Sequence, residues 1–175
     1  MILVIDMCQK IGILKDEFVR PITDIIGDCH VVHYLDDYDW RSASHIILTG
    51  TALADDAYLD HIGRFAWLKE RKVPMLGICA GMQVIARTFG ASVVEEEEIG
   101  FIELVDTDGT LGIEEHDKAF ALHHLACECP AGFSVCARSG SAIQMIQHDD
   151  LPIYGVLFHP EVLNKNALRR FISLD

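Results

Sequence analysis

A cysteine flanked by two glycines stands where a strand-like run gives way to a helix-like run. Cys79 lies between Gly77 and Gly81, each two positions away. The apolar run 73–78 before it favours a strand, and apolar residues at helical spacing after it indicate a helix that Gly90 is expected to close. A sharp strand-to-helix turn crowds the backbone on both sides of its apex, and glycine relieves the crowding. The spacing therefore predicts a nucleophile elbow with Cys79 at its apex.

The predicted position of Cys79 favours a reactive thiol. Backbone N–H groups are free at a helix N-terminus and the helix dipole is positive there, so both stabilise a thiolate, the nucleophilic form of cysteine. A buried structural cysteine beside packing glycines is the alternative, because free cysteines are commonly buried. The motif by itself leaves both interpretations open.

A histidine and a glutamate that could assist such a thiol lie far downstream. His159, Pro160 and Glu161 follow the apolar run 153–157. Pro160 biases His159 toward an extended backbone, in which residues i and i+2 share a face, so Glu161 can orient the His159 ring. A nucleophile, a base and an orienting carboxylate are the components of a catalytic triad. A solvated surface pair is the alternative for His159 and Glu161 alone, but their occurrence together with the elbow favours catalysis.

The two motifs together resemble those of the class I, or triad-type, glutamine amidotransferases, which read G-x-C-x-G-x-Q and H-P-E. The resemblance spans nearly the whole chain. It implies that Cys79 attacks the side-chain amide of glutamine, that His159 transfers protons and that Glu161 holds His159. Gln83, the last residue of the first motif, would help to bind glutamine.

The resemblance also implies an oxyanion hole and a further substrate contact. Two backbone N–H groups, of Gly50 and Ala80, would face the charge that develops on the carbonyl oxygen, and one such donor can be worth about 3 kcal/mol. The loop around Gly50 contains one glycine and no proline, whereas the family usually has a longer G-G-P type sequence. His124 is the best match to a family histidine in the second half, although Leu125 and Ala126 stand where an acidic residue would follow.

A zinc site is a further possibility that the sequence disfavours. His123, His124, Cys127 and Cys129 are residue types that bind zinc, but a single residue separates the two cysteines instead of the usual two to four. We therefore expect no metal site. The glutaminase cycle that the resemblance implies requires no metal or organic cofactor.

Alternating strand-like and helix-like segments in the first half predict an α/β fold. We expect a mostly parallel open sheet flanked by helices on both faces, the flavodoxin-like fold of the amidotransferases. A helical stripe is predicted from Leu59 to Ala66, ending near Arg71 and Lys72. Short strands in the second half should add antiparallel strands to this sheet. The four acidic residues 95–98 are expected to form a solvated turn, with a docking patch for a basic partner as the alternative.

Length, charge and hydropathy narrow the class of protein. The 175 residues suit a single glutaminase domain over 1–175, half of them are hydrophobic, and the net charge is −13. This charge disfavours binding to nucleic acid. No apolar run approaches the roughly 18 residues of a membrane span, and the first residues lack a basic leader. The six cysteines do not follow the pattern of small secreted domains, so we expect a cytoplasmic protein that binds no membrane.

The main hypothesis is a glutamine amidotransferase subunit that hydrolyses glutamine to glutamate and ammonia through a Cys79 thioester. By the resemblance, the ammonia would pass to a separate synthetase subunit, and a GMP-synthetase-type partner is favoured. A free-standing γ-glutamyl hydrolase or peptidase with the same triad is one alternative. The other is a non-catalytic regulatory subunit, which the short loop at Gly50 suggests.

Overall fold

The computed structural model describes residues 1–10, 13–70 and 72–174. The first half contains β1 Ile2–Asp6, α1 Leu14–Phe18, α2 Arg20–Ile26, β2 Cys29–His33, β3 His45–Leu48, a 3-10 segment Ala57–Glu70, β4 Met75–Ile78 and α3 Ala80–Thr88. The second half contains β5 Val93–Glu103, a 3-10 turn Thr110–Gly112, β6 Lys118–Cys127, β7 Phe133–Ser139, β8 Ala142–His148, β9 Ile153–Val156 and α4 Lys165–Phe171. None of the helices formed by these residues is long and apolar enough to cross a membrane.

Seven of the strands form one mostly parallel sheet, in the order β2-β1-β3-β4-β9-β8-β7. The five strands from β2 to β9 run parallel, and β8 and β7 continue the sheet in antiparallel pairing. The carboxyl ends of β3, β4 and β9 therefore meet at one edge, where open α/β sheets build their sites. The predicted fold class is confirmed.

Successive side chains of the strands point to opposite faces of the sheet, and a hydrophobic core covers each face. Residues 3 and 5 of β1, with 46 and 48 of β3, pack against α3 and the 3-10 segment. Val4, Ile47 and Leu76 point the other way, toward α2 and α4. A strand covered on both faces needs apolar residues at every position, because successive side chains point to opposite sides. This requirement explains the apolar runs 2–5 in β1, 46–48 in β3 and 75–78 in β4.

The acidic residues 95–98 form part of a long strand, so the predicted turn is wrong. They lie within β5, which pairs with β6 as a separate two-stranded antiparallel ribbon, and the register shifts between Glu95 and Glu98. The ribbon pairing supplies the backbone hydrogen bonds that a turn would have left to water. Glu95 and Glu97 are exposed, whereas Glu96 and Glu98 are half-buried. Four like charges in sequence therefore belong to two different faces.

The helical stripe of the first half is wound as a 3-10 segment, with non-helical backbone angles at His61. Its buried side chains include Phe65 and Leu68, while Ala66, predicted to face the core, is exposed. A winding of three residues per turn aligns positions i and i+3, so Ala66 is turned away from the side that carries Phe65 and Leu68. The segment ends at Glu70, and the predicted terminal residue Arg71 lies outside the described residues.

Candidate active site

Cys79 occupies a strained turn between β4 and α3. Its backbone angles are φ 47° and ψ −103°, a conformation that side-chain-bearing residues rarely adopt. An added Cβ on Gly77 would overlap the backbone of Gly81 and lie 2.6 Å from the nitrogen of Met82. An added Cβ on Gly81 would overlap the carbonyl oxygen of Leu48 in β3. Both glycines are thus required by close backbone approach, and the turn has the geometry of a nucleophile elbow.

His159 and Glu161 form a buried pair just beyond the end of β9. His159 Nδ1 lies 2.7 Å from Glu161 Oε1, and their side chains are 2% and 3% exposed. Burial alone would lower the pKa of His159. The charge of Glu161, its hydrogen bond to the ring and the proximity of Cys79 outweigh burial and raise this pKa to about 10. With Nδ1 bonded to Glu161, the other ring nitrogen, Nε2, is buried and has no hydrogen-bond partner among the described residues.

Gly50 lies against both Cys79 and His159. An added Cβ at Gly50 would be 2.7 Å from His159 Cε1 and 3.4 Å from Cys79 Cβ, so a side chain would collide with the imidazole. Ala80 is the first residue of α3, and the N–H of a first helical residue has no partner within its own helix. The structure thus brings both predicted oxyanion-hole residues next to Cys79.

A small cleft opens beside Cys79. The predicted residues Ala80, Gln83 and His124 line it. The aromatic ring of Tyr58 in the 3-10 segment forms part of the wall. Each residue proposed from the sequence therefore lies in the cleft or directly beside Cys79 and His159.

The chain matches the model of a known protein family. The family model for class-I glutamine amidotransferases matches residues 25–173. The chain belongs to this family.

Relatives of two kinds resemble this amidotransferase. A subunit of the glutamine-hydrolyzing GMP synthase of Methanothrix thermoacetophila is 38% identical over 125 residues, which cover 67% of this chain and 69% of the relative. The aminodeoxychorismate/anthranilate synthase component 2 of Bacillus subtilis is 32% identical over 184 residues, which cover 96% of this chain and 89% of the relative. A crystal structure from Thermoplasma acidophilum, described as the corresponding GMP synthase subunit, aligns with TM-score 0.83 and 26% identity, covering 99% of this chain and 93% of that one.

The side-chain amide of Gln83 in this amidotransferase is held by the protein. Gln83 Nε2 donates to the carbonyl oxygen of Leu125 at 2.9 Å, and the Tyr58 hydroxyl donates to Gln83 Oε1. Gln83 therefore ties the 3-10 segment and β6 to α3 at the wall of the cleft. Tyr58 was not among the candidates from the sequence, because only the fold brings it next to α3.

Strand β6 contacts Cys79, His159 and Gln83 through its backbone. The carbonyl oxygen of Phe120 accepts a hydrogen bond from the N–H of His159 at 2.8 Å, and the carbonyl oxygen of Leu122 lies 3.7 Å from Cys79 Sγ. The carbonyl oxygen of Leu125 in the same strand accepts a hydrogen bond from Gln83. A shift of β6 would therefore affect Cys79, His159 and the cleft wall together.

A buried polar network anchors β6 through His123, which the sequence analysis considered only as a metal ligand. His123 Nδ1 lies 3.0 Å from the carbonyl oxygen of Glu96, and Nε2 lies 3.2 Å from Glu98 Oε2. Glu98 also accepts from Gln144 Nε2 at 2.6 Å and from the Ser139 hydroxyl at 2.8 Å. Burial lowers the pKa of His123, and the Glu96 carbonyl and the Glu98 charge oppose that effect. The network joins the ribbon to β8 and to the end of β7.

The cysteines near His123 are buried or half-buried, and burial raises the pKa of Cys127 to about 12. No group of three or more metal-binding side chains is found in the described ranges 1–10, 13–70 and 72–174.

Replacing Glu98 by alanine is expected to loosen the ribbon. The change leaves His123, Gln144 and Ser139 without their shared acceptor, and an unsatisfied buried polar group costs about 1–3 kcal/mol. Hydrogen exchange of the β5 and β6 amides should accelerate. The matched control is Glu97→Ala, which removes an exposed carboxylate from the same strand. Equal exchange rates in the two variants would contradict the anchoring role of Glu98.

Proposed function

We propose that this amidotransferase is a glutaminase subunit that releases ammonia from glutamine for a separate synthetase subunit. The observation that supports this most directly is the meeting of the strained Cys79 turn and the buried His159–Glu161 pair beside one cleft. We further propose that residues 1–175 form a single glutaminase domain.

In the proposed reaction the Cys79 sulfur attacks the side-chain amide carbon of glutamine. The carbonyl electron pair moves onto oxygen, where the N–H groups of Gly50 and Ala80 would stabilise the charge. Collapse of this intermediate breaks the C–N bond, and the nitrogen leaves as ammonia with a proton from His159. Water, deprotonated by His159, then hydrolyses the γ-glutamyl thioester to glutamate; the Cys79 sulfur leaves as the thiolate that made the attack, and His159 again carries the proton. Glu161 keeps His159 oriented and charged, and the cycle requires no metal or organic cofactor.

We propose that Gln83 and His124 contribute to glutamine binding in different ways. The Gln83 amide is engaged by Tyr58 and Leu125, so its contribution is to fix the cleft wall. His124 lines the cleft from β6 and has ring nitrogens that can meet a polar group of the substrate.

A GMP-synthetase-type partner is the proposed acceptor of the ammonia. The relatives from Methanothrix thermoacetophila and Thermoplasma acidophilum are both described as one subunit of a GMP synthase, a description that implies a second subunit. We also propose a cytoplasmic location, because all six cysteines are unpaired, as expected in a reducing compartment.

The test is intact mass spectrometry after brief treatment with a glutamine-like diazoketone. One adduct is expected on the unaltered protein and none on Cys79→Ser, because only Cys79 combines the strained turn with a neighbouring imidazole. Cys29→Ser, which removes a half-buried thiol from β2, is the control and should still form the adduct. An adduct that persists in Cys79→Ser would overturn the assignment of the nucleophile.

Substrate comparison then separates the proposed function from its alternatives. Ammonia release from glutamine, enhanced by a synthetase subunit of the GMP type, is the expected result. Faster turnover of a γ-glutamyl peptide without any partner would instead identify a free-standing hydrolase. A chain that is neither labelled nor active with a partner present would be a regulatory subunit.

A further inference from the structure

One carboxylate oxygen in the wall of the cleft lacks a partner. The Asp55 side chain is buried, with the residue 6% exposed. Its Oδ2 accepts two hydrogen bonds, from the Gln9 N–H at 2.8 Å and from the Thr51 hydroxyl at 2.5 Å. Its Oδ1 is buried and has no hydrogen-bond partner among the described residues. Buried polar atoms are nearly always paired, so this oxygen indicates a missing donor.

The charge around Asp55 indicates what kind of donor is missing. Asp55 lines the same cleft as Cys79, and none of the described residues that line this cleft is a lysine or an arginine. Burial chiefly, with the negative charge of Asp55 as a smaller cause, raises the pKa of Tyr58 in the cleft wall. A buried carboxylate in a cleft lined by no lysine or arginine is complementary to a cationic group of a ligand.

We propose that Asp55 binds the α-ammonium group of glutamine and thereby restricts the cleft to α-amino acids. This inference rests on the proposed glutaminase function. Glutamine carries its α-ammonium two methylene groups away from the amide that Cys79 attacks, and Cys79 and Asp55 line the same cleft. The ammonium would donate to the free Oδ1 of Asp55. His124, which also lines the cleft, is available to the α-carboxylate.

Asp55→Asn tests the charge while preserving the local structure. The asparagine side-chain oxygen can still accept from the Gln9 N–H and the Thr51 hydroxyl, which link the loops after β1 and β3. Its NH₂ group would then occupy the place of Oδ1 and present donors to an ammonium, which also has only donors. The neighbouring Asp56 is exposed, so Asp56→Asn makes the same change in net charge outside the cleft.

The experiment compares rates of Cys79 labelling by three reagents. These are the glutamine-like diazoketone, the same diazoketone without its α-amino group, and iodoacetamide, which reports thiol reactivity alone. The unaltered protein and Asp56→Asn should prefer the amino-acid reagent over the des-amino reagent by about 10- to 100-fold, the worth of a charged hydrogen bond. Asp55→Asn should lose this preference and keep its iodoacetamide rate.

The outcomes separate this inference from the proposed function. If Cys79 reacts with the amino-acid reagent and Asp55→Asn keeps the full preference, Asp55 does not bind the ammonium, although the glutaminase site stands. If the unaltered protein reacts with iodoacetamide but with neither diazoketone, the proposed function fails and this inference fails with it.

A second measurement covers the case in which Asp55→Asn does not fold. The Cys79→Ser protein should be stabilised against heat by glutamine but not by 4-carbamoylbutanoate, which has the same amide and carboxylate without the ammonium. Equal stabilisation by the two ligands would overturn the role of Asp55 without any change at that residue.

Discussion

Replacing Gly81 by alanine is expected to displace the nucleophile elbow and to slow labelling of Cys79 by the glutamine-like diazoketone by about 100-fold or more. The added methyl group would overlap the Leu48 carbonyl oxygen and lie 2.8 Å from Leu48 Cβ. Leu48 belongs to β3, which is hydrogen-bonded between β1 and β4 and cannot retreat. Helix α3 must shift instead, and a displacement of about 1 Å at a reacting group can cost two orders of magnitude.

Stability should fall together with labelling in Gly81→Ala. Overpacking of this kind costs about 1–3 kcal/mol, measurable as a lower unfolding free energy in denaturant. The matched control is Gly63→Ala in the 3-10 segment, where an added Cβ would meet no described atom within 4 Å. That variant should label at the unaltered rate. A Gly81→Ala protein with unaltered labelling and stability would show that the elbow tolerates a side chain at this position.

The elbow illustrates what the sequence predicts well. The crowding that requires Gly77 lies within the motif itself, because an added Cβ there would meet Gly81 and Met82, whereas Gly81 is required by the approach of Leu48 in β3. The relation between His159 and Glu161 is equally local, because it follows from two positions in one extended segment. The central strands were also predictable, since burial on both faces demands continuous apolar runs.

The second half shows where sequence reasoning fails. The acidic residues 95–98 have the composition of a turn, and only pairing with β6 makes them a strand. Glu98 is retained there because His123, Gln144 and Ser139, all distant in sequence, bond to it. Asp55 was missed for the same reason, since its position beside Cys79 depends on the packing of separate loops. Long-range partners leave no periodic pattern that a sequence could show.

The other large effect is expected for Glu161→Gln, which should lower glutaminase activity by about 10²–10⁴-fold. Glutamine can still accept a hydrogen bond from His159 Nδ1, so the ring keeps its orientation. The charge that raises the pKa of His159 is lost, however, and burial then lowers this pKa. His159 becomes neutral at pH 7 and no longer holds the proton that the leaving ammonia needs. Activity measured from pH 5 to 10 should show the loss across the neutral range.

The same substitution should change how stability depends on pH. In the unaltered protein the pKa of His159 is about 10 when folded, against roughly 6.5 when unfolded. Between these values the folded state binds the extra proton, so the unfolding free energy declines as pH rises from 6.5 to 10. The contribution of His159 to the free energy of unfolding is complete below pH 6.5 and lost above pH 10. It is on the order of a few kcal/mol. In Glu161→Gln this decline should disappear.

Glu103→Gln is the matched control for Glu161→Gln, because it removes the carboxylate from a similar but exposed pair. His116 Nδ1 lies 2.8 Å from Glu103 Oε1, yet the side chains are 70% and 58% exposed. Glu103 raises the pKa of His116, but solvent screens exposed pairs, which contribute little to stability. Glu103→Gln should therefore keep the pH dependence of the unaltered protein. If both variants followed the unaltered curve, Glu161 would not be the group that holds the proton on His159, and the proton for ammonia would need another source.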